Sequence, residues 1–205
     1  MKTIPADNTE RNMDSEKLIK KLLETGALLE GHFELTSGLH SNKYFQCALL
    51  LQNPEISTEL GQKIKDLFAD SKVDLVAGPA VGGIIIAHEV ARAFGVKSVF
   101  TERVNGKMAL RRGFSIKKGQ KVLLVEDVIT TGGSILELVS IFKEAGAEVI
   151  GIGSIVDRSG GKISFPVHFR PLLSLQVESY RPQDCPLCVK GGKAEKPGSR
   201  NLNRE

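Results

Sequence analysis

The sequence is poor in cysteine, with three residues, Cys47, Cys185 and Cys188. Three thiols cannot build a disulfide framework, so a small cross-linked secreted scaffold is excluded and a reducing cytoplasm is the simplest setting. Long apolar runs are also missing. The longest, Val81 to Ala87, is far too short to cross a bilayer, and the opening stretch MKTIPADNTERNMDSEK lacks the apolar segment a secretory signal needs. Nor is there much excess charge of one sign, since 28 Lys and Arg stand against 24 Asp and Glu. So small and scattered a surplus does not argue for nucleic acid, whereas a phosphorylated small molecule needs only a local cluster of cations. A mean hydropathy of −0.07 is ordinary for a soluble globular chain, and the length fits one domain or one domain with an appendage.

Residues 1–13 are polar, lack periodicity and read as a disordered lead. Asp14 or Ser15 can cap a helix running to about Glu24, with Leu18, Leu22 and Leu23 on one side. A loop-rich stretch follows, with an extended core around Tyr44–Leu51. Pro54 then opens a helix whose Ile56, Leu60, Ile64, Leu67 and Phe68 form an apolar stripe. From residue 73 short apolar runs alternate with helical patterns: VDLVAG, VKSVFTE, KVLLVED, AEVIGIGSIVD and LLSLQVES. That alternation predicts an α/β fold, a mainly parallel sheet flanked by helices. The frame is one domain over 14–181, divided into an N-terminal part (14–70) and a core (71–181). A polar tail, 182–205, is expected to cover the surface or fray.

The most informative segment is KVLLVEDVITTGGS, Lys121–Ser134. Four apolar residues make a buried strand, Glu126 and Asp127 follow at its carboxyl end, and a Gly-rich turn then opens a helix. Ligands of open α/β sheets bind outside the carboxyl ends of strands. Free amides at a helix N-terminus favour a phosphate, and the hydroxyls of Thr130, Thr131 and Ser134 add donors. Two carboxylates just before that cradle would accept hydrogen bonds from a diol. Phosphate at one end and vicinal hydroxyls nearby describe a ribose 5-phosphate. An ordinary strand-to-helix turn would account for TTGGS alone, though less readily for the whole succession. A P-loop needs Gly-Lys-Ser/Thr, which is absent, and GIGSIVD lacks the third glycine of a dinucleotide fingerprint.

VLLVEDVITTGGS resembles the 5-phosphoribosyl 1-diphosphate (PRPP) signature of the type I phosphoribosyltransferases. Three further segments are similar to the orotate phosphoribosyltransferases in particular, and the match spans about residues 14–181. FELTSGLHSNKYF, Phe33–Phe45, resembles the segment that lies over the bound base in that family. Gly78-Pro-Ala-Val-Gly-Gly83 looks like its diphosphate loop, and Val156-Asp157-Arg158 like the strand end that gives an arginine to the orotate site. The resemblance implies a type I phosphoribosyltransferase fold with a small N-terminal base-covering hood. It also implies transfer of the 5-phosphoribosyl group from PRPP to orotate in pyrimidine synthesis. Mg²⁺ would be bound mainly through PRPP, in a cytoplasmic homodimer with shared active sites, without nucleic acid or membrane. By the same resemblance, PRPP is contacted by Glu126, Asp127, Val128, Ile129, Thr130, Thr131, Gly132, Gly133 and Ser134, and by Pro79, Ala80 and Gly82. Orotate is contacted by Thr130, Arg158, Ser37 and Tyr44. Catalytic roles fall to Asp127, Lys107 and Arg103.

The last two belong to TERVNGKMALRRGFSIKKG, which has no strong apolar period and reads as a long basic lid with Gly106 as its hinge. In the family such a loop closes over the diphosphate of the neighbouring subunit. The usual Lys-x-His ending is absent here, and Thr36 stands where many relatives have lysine. Cys185-Pro-Leu-Cys188 is a single CxxC without a second pair, and His32, His40, His88 and His168 are scattered, so no metal is assigned to the chain's own residues. His88, within an apolar helix, reads as a core or interface residue. Two rival readings are a purine-type phosphoribosyltransferase, which lacks the Ser-Gly-x-x-Ser segment, and a PRPP-sensing regulator, for which a missing lid or a broken acidic pair would be expected.

Overall fold

A computed structural model describes residues 8–35 and 37–197, and side chains from 15 onward. Residues 1–7 of the expected disordered lead, Thr36 and residues 198–205 lie outside the described part. The chain divides into two compact units, Met1–Leu50 with Val177–Glu205, and Leu51–Gln176.

The smaller unit opens with α1 (Asn8–Glu24), which starts ahead of the expected cap at Asp14 or Ser15, so residues 8–13 of the lead are helical. It buries Leu18 and Leu22. An antiparallel hairpin follows, β1 (Leu28–Glu34) and β2 (His40–Phe45), whose register shifts at a bulge between Glu30 and Phe33. The extended core expected over Tyr44–Leu51 ends at Phe45. Beyond it Cys47–Leu51 coil into α2, which buries Cys47, Leu50 and Leu51; a strand's alternation could not turn all three inward.

The larger unit begins with α3 (Pro54–Leu67), capped by Asn53, whose side chain accepts from the Glu55 and Ile56 amides. Next come β3 (Leu75–Pro79), α4 (Gly82–Phe94), β4 (Lys97–Val104), β5 (Lys107–Leu110), β6 (Lys121–Ile129), α5 (Gly133–Glu144), β7 (Glu148–Asp157) and β8 (Phe169–Ser174). The sheet order is β5-β4-β3-β6-β7-β8, parallel except for β5. The expected mainly parallel sheet flanked by helices is therefore present. The fifth strand falls earlier than LLSLQVES, ending at Ser174. On one face Val122 and Leu124 meet Ile135, Leu138 and Phe142 of α5, each worth about 1.5–3 kcal/mol when fully buried. On the other, Val125 and Gly153 lie under Ile64 of α3. Burial on both faces is why β6 reads as a continuous apolar run rather than an alternation. The helices α3 and α4 touch at backbone distance, since a Cβ on Gly61 would lie 2.8 Å from the carbonyl carbon of Glu89.

The basic lid is shorter than expected. Its first part is a hairpin, with β4 continuing to Val104 and turning at Asn105-Gly106, both at positive φ (49° and 83°), into β5. Gly106 is a turn residue, not a hinge. After β5, Arg111 and Arg112 reach back to Glu102 at 3.4 and 2.8 Å.

The chain returns to the smaller unit through β9 (Ser179–Tyr180), which pairs with β2, then a 3-10 turn (Pro182–Asp184) and α6 (Pro186–Val189). Glu195 pairs with Phe33. The tail expected to cover the surface or fray is thus built into this unit as far as residue 197. Among the described residues no helix is long and apolar enough to cross a membrane.

Candidate active site

The adjacent strands β3, β6 and β7 end side by side, and each passes into a turn at the carboxyl edge of the sheet, where open α/β folds bind ligands. Glu126 and Asp127 lie within β6 rather than beyond it, with Glu126 level with Ser154 of β7. Burial pushes the Glu126 carboxyl up to about 8, the neighbouring Asp127 adds to the rise, and Arg103 opposes it. Burial likewise raises Asp127, against the backbone amides of Val128 and of Asp127 itself, which favour its anion. At neutral pH Glu126 is therefore largely uncharged in the free protein. Surrounded by protein yet open to solvent on one side, the pair can exchange its protons for a hydroxyl-bearing or cationic ligand.

Two helix N-termini flank the pair. Neither α4 nor α5 has a side-chain cap, in contrast to α3, so their first amides are open to an anion. The α5 end is shaped by Gly132, at φ 75°, where a Cβ would also come within 2.7 Å of the Phe165 ring. Beside it Thr130 and Thr131 are exposed. The α4 end is brought onto the acidic pair by Gly82, because a Cβ there would collide with the Asp127 carboxyl. Only glycine permits that approach.

Several assigned residues contribute differently from expectation. Pro79 has no amide hydrogen, and the Ala80 amide donates to the Thr101 carbonyl at 2.7 Å. The anion-binding capacity of this loop therefore belongs to the amides of residues 81–83. The Ile129 side chain is buried in the core, and its carbonyl accepts the Arg158 amide at 2.9 Å, so it has no side chain to offer a ligand. Val128 is half-buried and level with Val156. Arg103 donates to the Gly106 carbonyl (2.6 Å), Ser134 Oγ (3.4 Å) and Glu137 Oε1 (3.0 Å), which sets its guanidinium against the cradle of its own chain. The Lys107 side chain is exposed at the start of β5. Ser37 and Tyr44 belong to the smaller unit, where the Tyr44 hydroxyl donates to Gln46 Oε1 at 3.3 Å. His88 is exposed on α4 rather than in a core.

Two residues have supporting roles that the sequence did not assign. Glu137 holds both Arg103 and the Met108 amide (2.8 Å), bracing the β4–β5 hairpin against α5. The Met108 amide, more than Arg103, keeps its carboxyl below the usual range, against a smaller cost of burial. Asp157 accepts from the Ser159 amide and hydroxyl, the Gly161 amide and the Ser174 hydroxyl, at 2.6 to 2.9 Å. Burial opposes its ionisation, but these four donors outweigh it and hold the carboxyl low. They fix the turn that presents Arg158.

Comparisons with known proteins bear on the family and the fold. Residues 48–164 match the phosphoribosyl transferase domain family. The orotate phosphoribosyltransferase of Desulforamulus reducens is 53% identical over 190 residues, covering 93% of this chain and 100% of that protein. The chain belongs to the orotate phosphoribosyltransferase family. The Thermotoga maritima orotate phosphoribosyltransferase is likewise 53% identical, over 90% of this chain and 100% of the relative. Among solved structures, the Mycobacterium tuberculosis orotate phosphoribosyltransferase in complex with inorganic phosphate has a TM-score of 0.64 at 26% identity, covering 80% of this chain and 96% of that one. The segment that resembles the orotate phosphoribosyltransferase signature runs from β6 into α5, and the one that resembles the diphosphate loop is the turn from β3 into α4.

Proposed function

We infer that the chain transfers the 5-phosphoribosyl group of PRPP to orotate, giving orotidine 5′-monophosphate and diphosphate in pyrimidine synthesis. The carrying observation is the pair of buried carboxyls set between two uncapped helix N-termini. That arrangement matches a sugar with a diol in the middle and a phosphate at either end. In the reaction the bond from the anomeric carbon to diphosphate breaks, and a bond to the pyrimidine nitrogen forms. Positive charge develops on the ribose between those events, so anionic groups facing the sugar and cationic groups facing the leaving group lower the barrier. Glu126 and Asp127 hold the ribose hydroxyls, and Asp127 also faces the developing charge. Thr130–Ser134 with the α5 amides take the 5-phosphate, and the amides of residues 81–83 take the diphosphate. Arg158 offers a planar fork to the anionic pyrimidine. Arg103 stands beside the phosphate cradle, and Lys107 on the exposed hairpin is the cation free to approach the leaving group.

Mg²⁺ bound through PRPP would neutralise the departing diphosphate. Such an ion would be held mainly by substrate oxygens. A homodimer is supported by the apolar side chains that α4 and its entry leave uncovered, Val81 at 82% and Ile85 at 43% exposure. The three free thiols suit a cytoplasmic setting.

Incubating the chain with PRPP and Mg²⁺ against orotate, uracil, hypoxanthine and adenine tests the reading. Orotate alone should be converted, and Arg158→Ala should weaken orotate use by about 1.5–3 kcal/mol while sparing PRPP affinity. Conversion of a purine instead would overturn it. The dimer is tested by mixing two inactive variants, Lys107→Ala and Asp127→Asn. If Lys107 serves the partner's site, each mixed dimer has one intact site, and random pairing restores about a quarter of the parent activity. A mixture that stays inactive after subunit exchange removes the shared site.

A further inference from the structure

Cys185 and Cys188 meet His32 and His40, although some 150 residues of sequence separate the two pairs. The hairpin and the tail together bring this about. His40 heads β2, level with Tyr180 of β9, and His32 sits in the bulge of β1. The tail then crosses β1, where the Glu195 amide donates to the His32 carbonyl at 2.8 Å and the Glu34 amide to the Glu195 carbonyl at 2.7 Å.

One ligand atom from each of the four residues lies within 4.8 Å of every other. His32 Nε2 is 3.0 Å from His40 Nδ1, 3.5 Å from Cys185 Sγ and 3.7 Å from Cys188 Sγ, and Cys188 Sγ is 3.3 Å from His40 Nδ1. A tetrahedral zinc with Zn–N near 2.05 Å and Zn–S near 2.3 Å requires edges of roughly 3.3 Å between nitrogens and 3.6 Å between nitrogen and sulfur. The observed separations fall about those edges. We propose that His32, His40, Cys185 and Cys188 bind a structural zinc ion that fastens the C-terminal tail to the β1–β2 hairpin.

Three further observations point the same way. Cys185 is fully buried, and it is the only buried residue between 181 and 197. Apolar burial therefore cannot hold this Gly- and Lys-rich segment in place, which is the condition under which small folds adopt a metal. His32 is turned so that Nε2 makes three of the four close approaches within the cluster. The donor set is also selective. Two thiolates and two imidazoles on one centre suit zinc, whereas a two-iron cluster would need the cysteine and histidine pairs set apart on different ions. Four protein ligands leave no open position, so the role is structural rather than catalytic. The sequence reading took the histidines as scattered, and the fold gathers His32 and His40 beside the cysteine pair.

The test uses the full chain, expressed in reducing cytosol and purified without chelator or added metal. Elemental analysis should find about one zinc per chain. Replacement by Co²⁺ should give the visible bands of a tetrahedral thiolate site, and both signals should be lost in Cys188→Ser and in His40→Ala. If those variants fail to fold, the parent chain's cobalt spectrum and its release of metal on thiol modification decide the matter. A folded, reduced chain that carries no stoichiometric metal and takes up neither Zn²⁺ nor Co²⁺ overturns the proposal. So does a Cys185–Cys188 disulfide that persists in its place, or zinc retained by both folded variants. None of these readouts depends on phosphoribosyl transfer, so its success or failure is separable.

Discussion

Asp127→Asn is expected to fold as the parent does and to lose on the order of 10²–10³ in kcat, the usual effect of removing one preorganised electrostatic contact to a developing charge. The fold should survive because amide and carboxyl have the same shape, and because burial already disfavours the charged form in the free protein. The Gly82 contact with residue 127 is then preserved as well. Turnover should fall because an amide cannot supply the negative charge needed beside the cationic ribose. Steady-state rates, with the thermal midpoint as a control for folding, check both halves. A kcat within about threefold of the parent, in a variant that melts normally, would remove Asp127 from the chemistry.

Glu126→Gln should show its largest effect in the stability of the free protein, with a dependence on pH of known sign. The folded carboxyl titrates at about 8, against 4.5 for an ordinary glutamate. Below the lower value both states are protonated and nothing is lost. As pH rises toward the upper value the unfolded chain releases its proton while the folded chain keeps it, so stability is lost across that window and levels off above it. Glutamine removes the loss. The variant should match the parent near pH 4.5 and exceed it at pH 8 by on the order of 4 kcal/mol, which for a chain of this size is roughly 8–16 °C in Tm. A difference that does not grow with pH would mean that Glu126 is ionised in the free protein. The same titration predicts that binding of PRPP with Mg²⁺ near pH 7 expels a proton, read calorimetrically as a heat that depends on the buffer.

The acidic pair and its cradle were legible in the sequence because every signal for them is local. A buried strand, two carboxyls, a Gly-rich turn and a helix follow one another between Lys121 and Glu144. The hairpin beside them was hidden by its charge. Arg103 and Lys107 occupy strand positions at the sheet edge, where outward side chains need not be apolar, so no alternation stands out. Asn105-Gly106 was the available clue, since both residues take the positive φ that a tight turn needs. Arg103 could be set against the first turn of α5 only once Glu137 was seen to hold it. The cysteine–histidine cluster was beyond reach for a different reason. Its halves come together only through the pairing of β2 with β9 and of Glu195 with Phe33, and no local pattern encodes a long-range register.

The close contact at Gly61 carries a consequence for the opposite end of α4. The helix is located along its length by α3, with backbone against backbone at Glu89, and its first turn supplies the amides of Gly82 and Gly83. The aim of those amides is thus set two helical turns away, by a residue with no part in any ligand contact. A shift of about 1 Å can cost two orders of magnitude in rate when reacting groups must be aligned. Tolerance to change in this molecule is therefore not a matter of distance from the substrate: a methyl group at position 61 would act on the catalytic end as a lever acts on its far arm.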